Sequence, residues 1–162
     1  MSTFVTVGNA TQPFDRLLDA VALSMGVLPK PVVVQRGVSR VCHPEWETHD
    51  FLDMEAFGQL VRGCTLLIMH AGAGSVIHAL TAGRRPVIMP RRAHWGEHVD
   101  DHQLEFAEAL EGTGQVVVAR GTDELPRAIA LARQGVVPTH GETETLLVAH
   151  VDQLLQRWAR GL

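Results

Sequence analysis

The chain has 162 residues, of which 46% are hydrophobic and 20% charged, with a formal net charge of −4 and a pI near 6.1. That length suits one domain with a real core and leaves no room for two full Rossmann-type domains, and the composition excludes a disordered chain. An acidic balance with largely scattered Lys and Arg gives no electrostatic footprint for nucleic acid.

In chain order, short β-branched runs predict strands at 4–7, 32–35, 50–52, 66–69, 87–89 and 116–119. Helical periodicity between them predicts helices at 13–25, 54–62, 75–82, 100–110 and 123–133. In the first helix Phe14, Leu17, Leu18 and Val21 keep one face apolar, and Pro13 suits the first turn. Alternation of this kind predicts an α/β fold, a Rossmann-like parallel sheet flanked by helices. A linker is expected over 134–143, where Gly135, Pro138 and Gly141 fall, so that residues 1–135 form the domain and 136–162 a linker and an amphipathic C-terminal helix. The apolar stripe Leu147, Val151, Leu154, Leu155 and Trp158 on that helix would pack on the same domain, on another subunit (a partner or a second copy of the chain) or on a membrane surface.

The turn between the fourth strand and the next helix reads His70-Ala71-Gly72-Ala73-Gly74-Ser75. Glycines there allow the backbone to pass close to a bulky ligand, and the free N–H groups and dipole of the new helix suit a phosphate. Ser75 adds a hydroxyl and His70 a potential cation. An ordinary capped turn explains the glycines equally well when they are taken alone. Ligands of a parallel sheet sit beyond the carboxyl ends of its strands, where Gly8 to Thr11, Arg36 and Gly37, His70 to Ser75 and Pro90 to His98 would all collect.

Beyond the turn, Gly83 and Pro86 and then His102 and Gln103 complete an ordered pattern. It resembles the donor-binding signature of GT-B glycosyltransferases that use nucleotide-diphosphate sugars. Thr6-Val7-Gly8 with Phe14 to Leu17, Gln35-Arg36-Gly37, the HAGAGS turn, Pro90-Arg91-Arg92 and the run from Gly96 to Gln103 together resemble the soluble subunit of two-component bacterial exopolysaccharide glycosyltransferases. They are also similar to the catalytic subunit of the eukaryotic dolichol-linked N-acetylglucosaminyltransferase and to the C-terminal domain of family 28 glycosyltransferases.

The resemblance implies the C-terminal, donor half of a GT-B enzyme, with a UDP-sugar as substrate and no cofactor or metal. It places the pyrophosphate at His70, Ser75 and the backbone of Ala71, Gly72, Ala73 and Gly74, and the sugar hydroxyls at Gln103 with Asp101 or His102. It also implies closure by the loop of Gly8 and Asn9, with base and ribose near Arg36. From their residue type, Arg91 and Arg92 could hold the diphosphate or the carboxylate of a uronic acid donor, and a solvated loop pair is an equal expectation. Where many relatives carry a ribose-binding Glu this chain has His78, which cannot supply a bidentate carboxylate. His94, Glu97 and His98, with Asp100, are candidates for the general base, and a base from a partner is an equal expectation.

His98 and His102 lie four apart and could share a helix face around a metal, which keeps a metal-dependent hydrolase open as an alternative. A non-catalytic enhancer subunit is another. Because one GT-B half is missing, the resemblance implies a membrane-associated acceptor-binding subunit and a lipid-linked saccharide acceptor. Cys42 and Cys64 suggest neither a disulfide framework nor a zinc site. With no long apolar stretch and no basic leader at the start, the expected location is the cytoplasm, with recruitment to the inner face of the membrane by the partner.

Overall fold

A computed structural model describes residues 1–135 and 142–161; side chains of 142–148 and 150 lie outside the described residues. The elements run β1 (Thr3–Thr6), α1 (Asp15–Leu23), β2 (Val32–Gln35), β3 (Trp46–His49), α2 (Met54–Gly63), β4 (Leu66–His70), α3 (Ala73–Thr81), β5 (Val87–Met89), α4 (His102–Glu111), β6 (Val117–Val118), α5 (Leu125–Gln134) and α6 (Glu142–Ala159).

Six parallel strands form one sheet in the order β3-β2-β1-β4-β5-β6. Side chains alternate across it, because successive residues of a strand point to opposite faces. Val5, Val34, Ile68 and Val87 meet Leu17, Leu18 and Val21 of α1 and Leu125 and Ile129 of α5. Phe4, Val33, Leu67 and Ile88 meet α2, α3 and α4 through Phe57, Val76, Phe106 and Leu110. Strands buried on both faces must read as continuous apolar runs, as Val32 to Val34 and Leu66 to Met69 do.

The predicted strand at 50–52 is instead a loop, and the strand lies earlier, at Trp46–His49. This is an edge strand with Glu47 and Thr48 exposed, so its sequence carries no apolar run. Only Trp46 enters the core, where its Nε1 faces Met25 Sδ at 3.0 Å. Residues 50–52 are diverted by Asp53, which caps α2 by accepting from Ala56 N at 2.8 Å.

Most of the expected linker lies outside the described residues, as does the Leu147 side chain. The rest of the expected C-terminal stripe divides. Leu154 is buried, Val151 and Trp158 pack on the α4 side of the domain, and Leu155 is 51% exposed. Trp158 is therefore engaged within the chain rather than left as a docking element: its ring stacks on His102 at 4.3 Å and its Nε1 donates to Glu105 Oε2 at 2.8 Å. Among the described residues, no helix is long and apolar enough to cross a membrane.

Truncation of Leu154 to Ala should lower unfolding stability by about 2 kcal/mol, the usual cost of a cavity under a packed helix. An unchanged urea midpoint would show that α6 is not docked.

Candidate functional site

The chain leaves β1 toward β2 on one side, while β4 lies on the other side of β1. This reversal opens a crevice at the carboxyl ends of β1 and β4, the position where open α/β sheets bind ligands. His70 ends β4 there. Its ring lies between two glycines: a Cβ on Gly8 would come within 2.5 Å of the imidazole, and one on Gly72 would collide with its Nε2. Gly8 also holds φ +78° in the turn out of β1.

His70 is 7% exposed, and its Nδ1 is buried without a hydrogen-bond partner. Burial, reinforced by the nearby positive charge of Arg91, lowers its pKa from 6.5 to about 4, an effect that the Thr6 carbonyl only partly counters. The imidazole is therefore neutral at neutral pH, which corrects the expectation of a cation.

Beside it begins α3, with Gly72 at its N-cap and no side-chain cap among the described residues. Gly74 is exposed and Ser75 half-buried, so the positive end of the helix faces open space. A cleft of about 300 Å³ adjoins this end. Gly74, Ser75 and His78 line one side, Gly8, Asn9 and Gln35 another, and Leu52, Met54 and Phe57 supply an apolar wall. His78 meets Phe57 edge-on at 5.5 Å. The polar wall is prearranged: Thr6 Oγ1 accepts from Gly8 N and donates to Gln35 Oε1 at 2.8 Å, while Gln35 Nε2 donates to Asn9 Oδ1 at 2.9 Å.

An uncapped helix end, an imidazole with an unpartnered Nδ1 and a cleft of about 300 Å³ have the chemistry and the room to receive a phosphorylated small molecule. Residues 2–134 match the glycosyltransferase family 28 C-terminal domain. The chain belongs to this family.

Among individual relatives, the UDP-N-acetylglucosamine transferase subunit ALG13 of Yarrowia lipolytica (strain CLIB 122 / E 150) is 33% identical over 81 residues, which is 49% of this chain and 39% of the relative. The glycotransferase of kitacinnamycin has the same fold with a TM-score of 0.64 at 18% identity, over 94% of this chain and 38% of that one. CalG4, the calicheamicin glycosyltransferase, gives 0.62 at 17% identity, over 95% and 39%. The chain thus spans about two fifths of the length of each of these proteins.

Within this family 28 domain the residues singled out in the sequence separate into two groups. Gly8, Asn9, Gly74, Ser75 and His78 meet in the cleft, with His70 beside them, while Gly72 and Ala73 form the start of α3. Ala71 is buried and extends the ladder by donating to Met89 O.

Arg91 is not available to a ligand. It is fully buried, donating to the carbonyls of Val7 (2.7 Å), Glu97 (2.8 Å) and Gln12 (2.9 Å), with its guanidinium over Phe14. Burial lowers its pKa to about 10, which still leaves it charged at neutral pH. Glu97 is equally committed: both carboxylate oxygens take Arg16 at 2.8 Å, and one also accepts from Arg92 N. It cannot serve as a free base. Arg36 is paired with Asp50 at 2.7 Å and does not line the cleft.

The loop after β5 is similarly ordered. Asp101 accepts from Ala93 N, and buried Gln103 accepts from Arg91 N through Oε1. Asp100 bridges the Nδ1 atoms of His98 (3.1 Å) and His102 (3.2 Å). His98 precedes α4, so the pair does not share a helix face, and among the described residues no three His, Cys, Asp or Glu are grouped to hold a metal. Arg92 differs from Arg91 in being only half-buried, with a buried Nε lacking a partner, and His94 is exposed beside Trp95.

Sequence reasoning quoted Thr6, Arg16 and Gln35 within its motifs but gave them no role, and it missed the apolar wall of the cleft. Arg16 joins Glu97 to the carbonyls of Pro90 and Arg120 across 74 to 104 residues, a separation that no local pattern signals.

Two outcomes follow. Because His70 protonates near pH 6.5 when unfolded and near 4 when folded, its contribution to stability is full above pH 6.5 and is lost as the pH falls toward 4, by about 3 kcal/mol. The variant His70→Gln should lack this slope in urea titrations run across that range. Glu97→Gln should destabilise the protein by roughly 3 kcal/mol by stranding buried positive charge, whereas the paired change Arg16→Met with Glu97→Leu should cost less.

Proposed function

We propose that this chain is the donor-binding, catalytic subunit of a UDP-sugar-dependent inverting glycosyltransferase of exopolysaccharide or capsule synthesis. It would act on a lipid-linked acceptor, together with a membrane-associated subunit that supplies the acceptor half of the cleft and recruits the chain to the inner membrane face. The observation that carries this reading is the neutral His70, its Nδ1 without a partner, beside the uncapped start of α3.

Sugar transfer builds positive charge at the anomeric carbon and negative charge on the departing diphosphate. Fixed N–H donors and a helix dipole aimed at that diphosphate stabilise the transition state without reorganising. Ser75 would add a hydroxyl donor, and His70 one N–H. An incoming diphosphate would raise the pKa of His70 from its low free value, so proton uptake would accompany binding. The nucleoside would lie along Leu52, Met54 and Phe57, with Asn9, Gln35 and His78 as its polar contacts.

Arg92 would meet the diphosphate or a uronate carboxylate, and Gln103 and Asp101 would meet the sugar. His94 and His98 remain as bases for the acceptor hydroxyl, or the partner provides one. A partner is supported by a relative that is itself described as a transferase subunit.

Titration calorimetry with a panel of UDP-sugars should find one that binds, with affinity reduced roughly tenfold by Ser75→Ala or His70→Gln. Failure of every nucleotide-sugar to bind, with the chain alone or with a co-purified partner, would end this reading. Binding without transfer, even with partner and lipid-linked acceptor present, would favour the enhancer role.

A further inference from the structure

At the opposite edge of the sheet, where β1, β4 and β5 begin, a second cavity of about 370 Å³ opens. Arg84 and Arg85, in the turn between α3 and β5, and Arg133, in the last turn of α5, all line it. Its other described lining residues include no Asp or Glu. This is unusual in a chain with net charge −4. Arg85 also borders the neighbouring cavity under α5, where Arg120 and Arg127 share the space with Glu111 and Glu124 and Arg120 is paired with Glu111, whereas Arg84 and Arg133 line the carboxylate-free cavity alone.

Among the described residues, each of the three guanidiniums is positioned by a neutral group that leaves most of its donors free. Arg85 Nε donates to Gly114 O at 2.8 Å, and Arg133 Nη1 to Val27 O at 3.1 Å. Arg84 reaches only the buried Cys64 sulfur, at 3.9 Å. Among the described residues none of the three has a carboxylate partner. Gly135 lies so close to the Arg85 guanidinium that a side chain there would collide with it. Three like charges converging on one cavity repel one another, and a multivalent anion relieves that repulsion while matching the planar fork of arginine donors.

We propose that Arg84, Arg85 and Arg133 form a binding site for a phosphate-bearing anion at the amino-terminal edge of the sheet, separate from the donor crevice. The chemistry is that of a phosphate group, whether free in solution or in a lipid headgroup. The site stands independently of the proposed transferase activity, because the two lie at opposite ends of the strands.

Inorganic pyrophosphate is the probe, titrated at low ionic strength into the whole chain and into variants of both sites. Since pyrophosphate can also enter the donor crevice, the decisive background is His70→Gln. In that background a binding event should persist and should weaken roughly tenfold or more on adding Arg84→Gln with Arg85→Gln. Arg133→Gln alone should weaken it as well, and serves as the second test if the double variant unfolds. Arg127→Gln, on the neighbouring surface, should leave it unchanged.

Flotation with phosphatidylcholine vesicles, with and without phosphatidylglycerol, separates the two sources. Capture by the anionic vesicles that depends on these arginines assigns the site to headgroups, and pyrophosphate binding without capture assigns it to a soluble phosphate. The proposal is overturned if neither probe binds, or if binding is indifferent to all three arginines.

Discussion

A buried cation, Arg91, organises the crevice edge of this domain. The Arg91 guanidinium lies at the centre of the loops after β1 and β5 and satisfies backbone carbonyls that would otherwise be buried without donors. Its positive charge needs a counter-charge, and Glu97 provides it while fastening Arg16 of α1 to the same loop. The loops at the edge are therefore tied to one another as well as to the sheet. A charged group in this position is costly to bury and is kept only while its partners stay in place.

The same cation sets the chemistry of its neighbour. Arg91 is one of the two main causes of the low pKa of His70, the other being burial. The arginine that builds the crevice thus also keeps the imidazole neutral and its buried Nδ1 without a charge to neutralise. Two glycines permit this arrangement by leaving the volume that the imidazole fills. Gly8 and Gly72 serve His70 as much as any ligand, which gives the glycines of the turn a reason in packing that the sequence alone did not supply.

The sheet was legible in the sequence because strands covered on both faces must be apolar throughout, and β2 and β5 fall where their valine and isoleucine runs place them. β3 was not, since an edge strand exposes half of its surface and reads like a polar loop. At the site, His78 was reached only through the family resemblance, while the glycines and Ser75 could be found from local pattern because a strand-turn-helix unit is local. The roles of Arg91 and Glu97 could not. An arginine beside an arginine in a loop looks solvated or ligand-binding, and only the distant Val7, Gln12 and Arg16 reveal that one of the pair is structural. Arg84 and Arg85 are the converse case, an adjacent pair that local pattern left unremarked and that the fold brings together with Arg133.

The open side of the crevice bears on how such a site would work. Phe51, Trp95 and Val99 on the loops after β3 and β5, and Met54 at the start of α2, stand 54%, 53%, 78% and 71% exposed at the rim of the same edge. Trp95 is not loose there, since the guanidiniums of Arg16 and Arg92 lie over its ring at 4.6 and 5.7 Å. Helix dipoles and single hydrogen bonds do little for a leaving diphosphate while water still screens it, and much more once water is excluded. On the proposed function, the domain alone would hold a donor in a half-open, high-dielectric cleft, and the barrier to transfer would fall only when a second surface covered that apolar rim. The dependence on a partner would then come from the electrostatics of the reaction as well as from the acceptor that the partner carries.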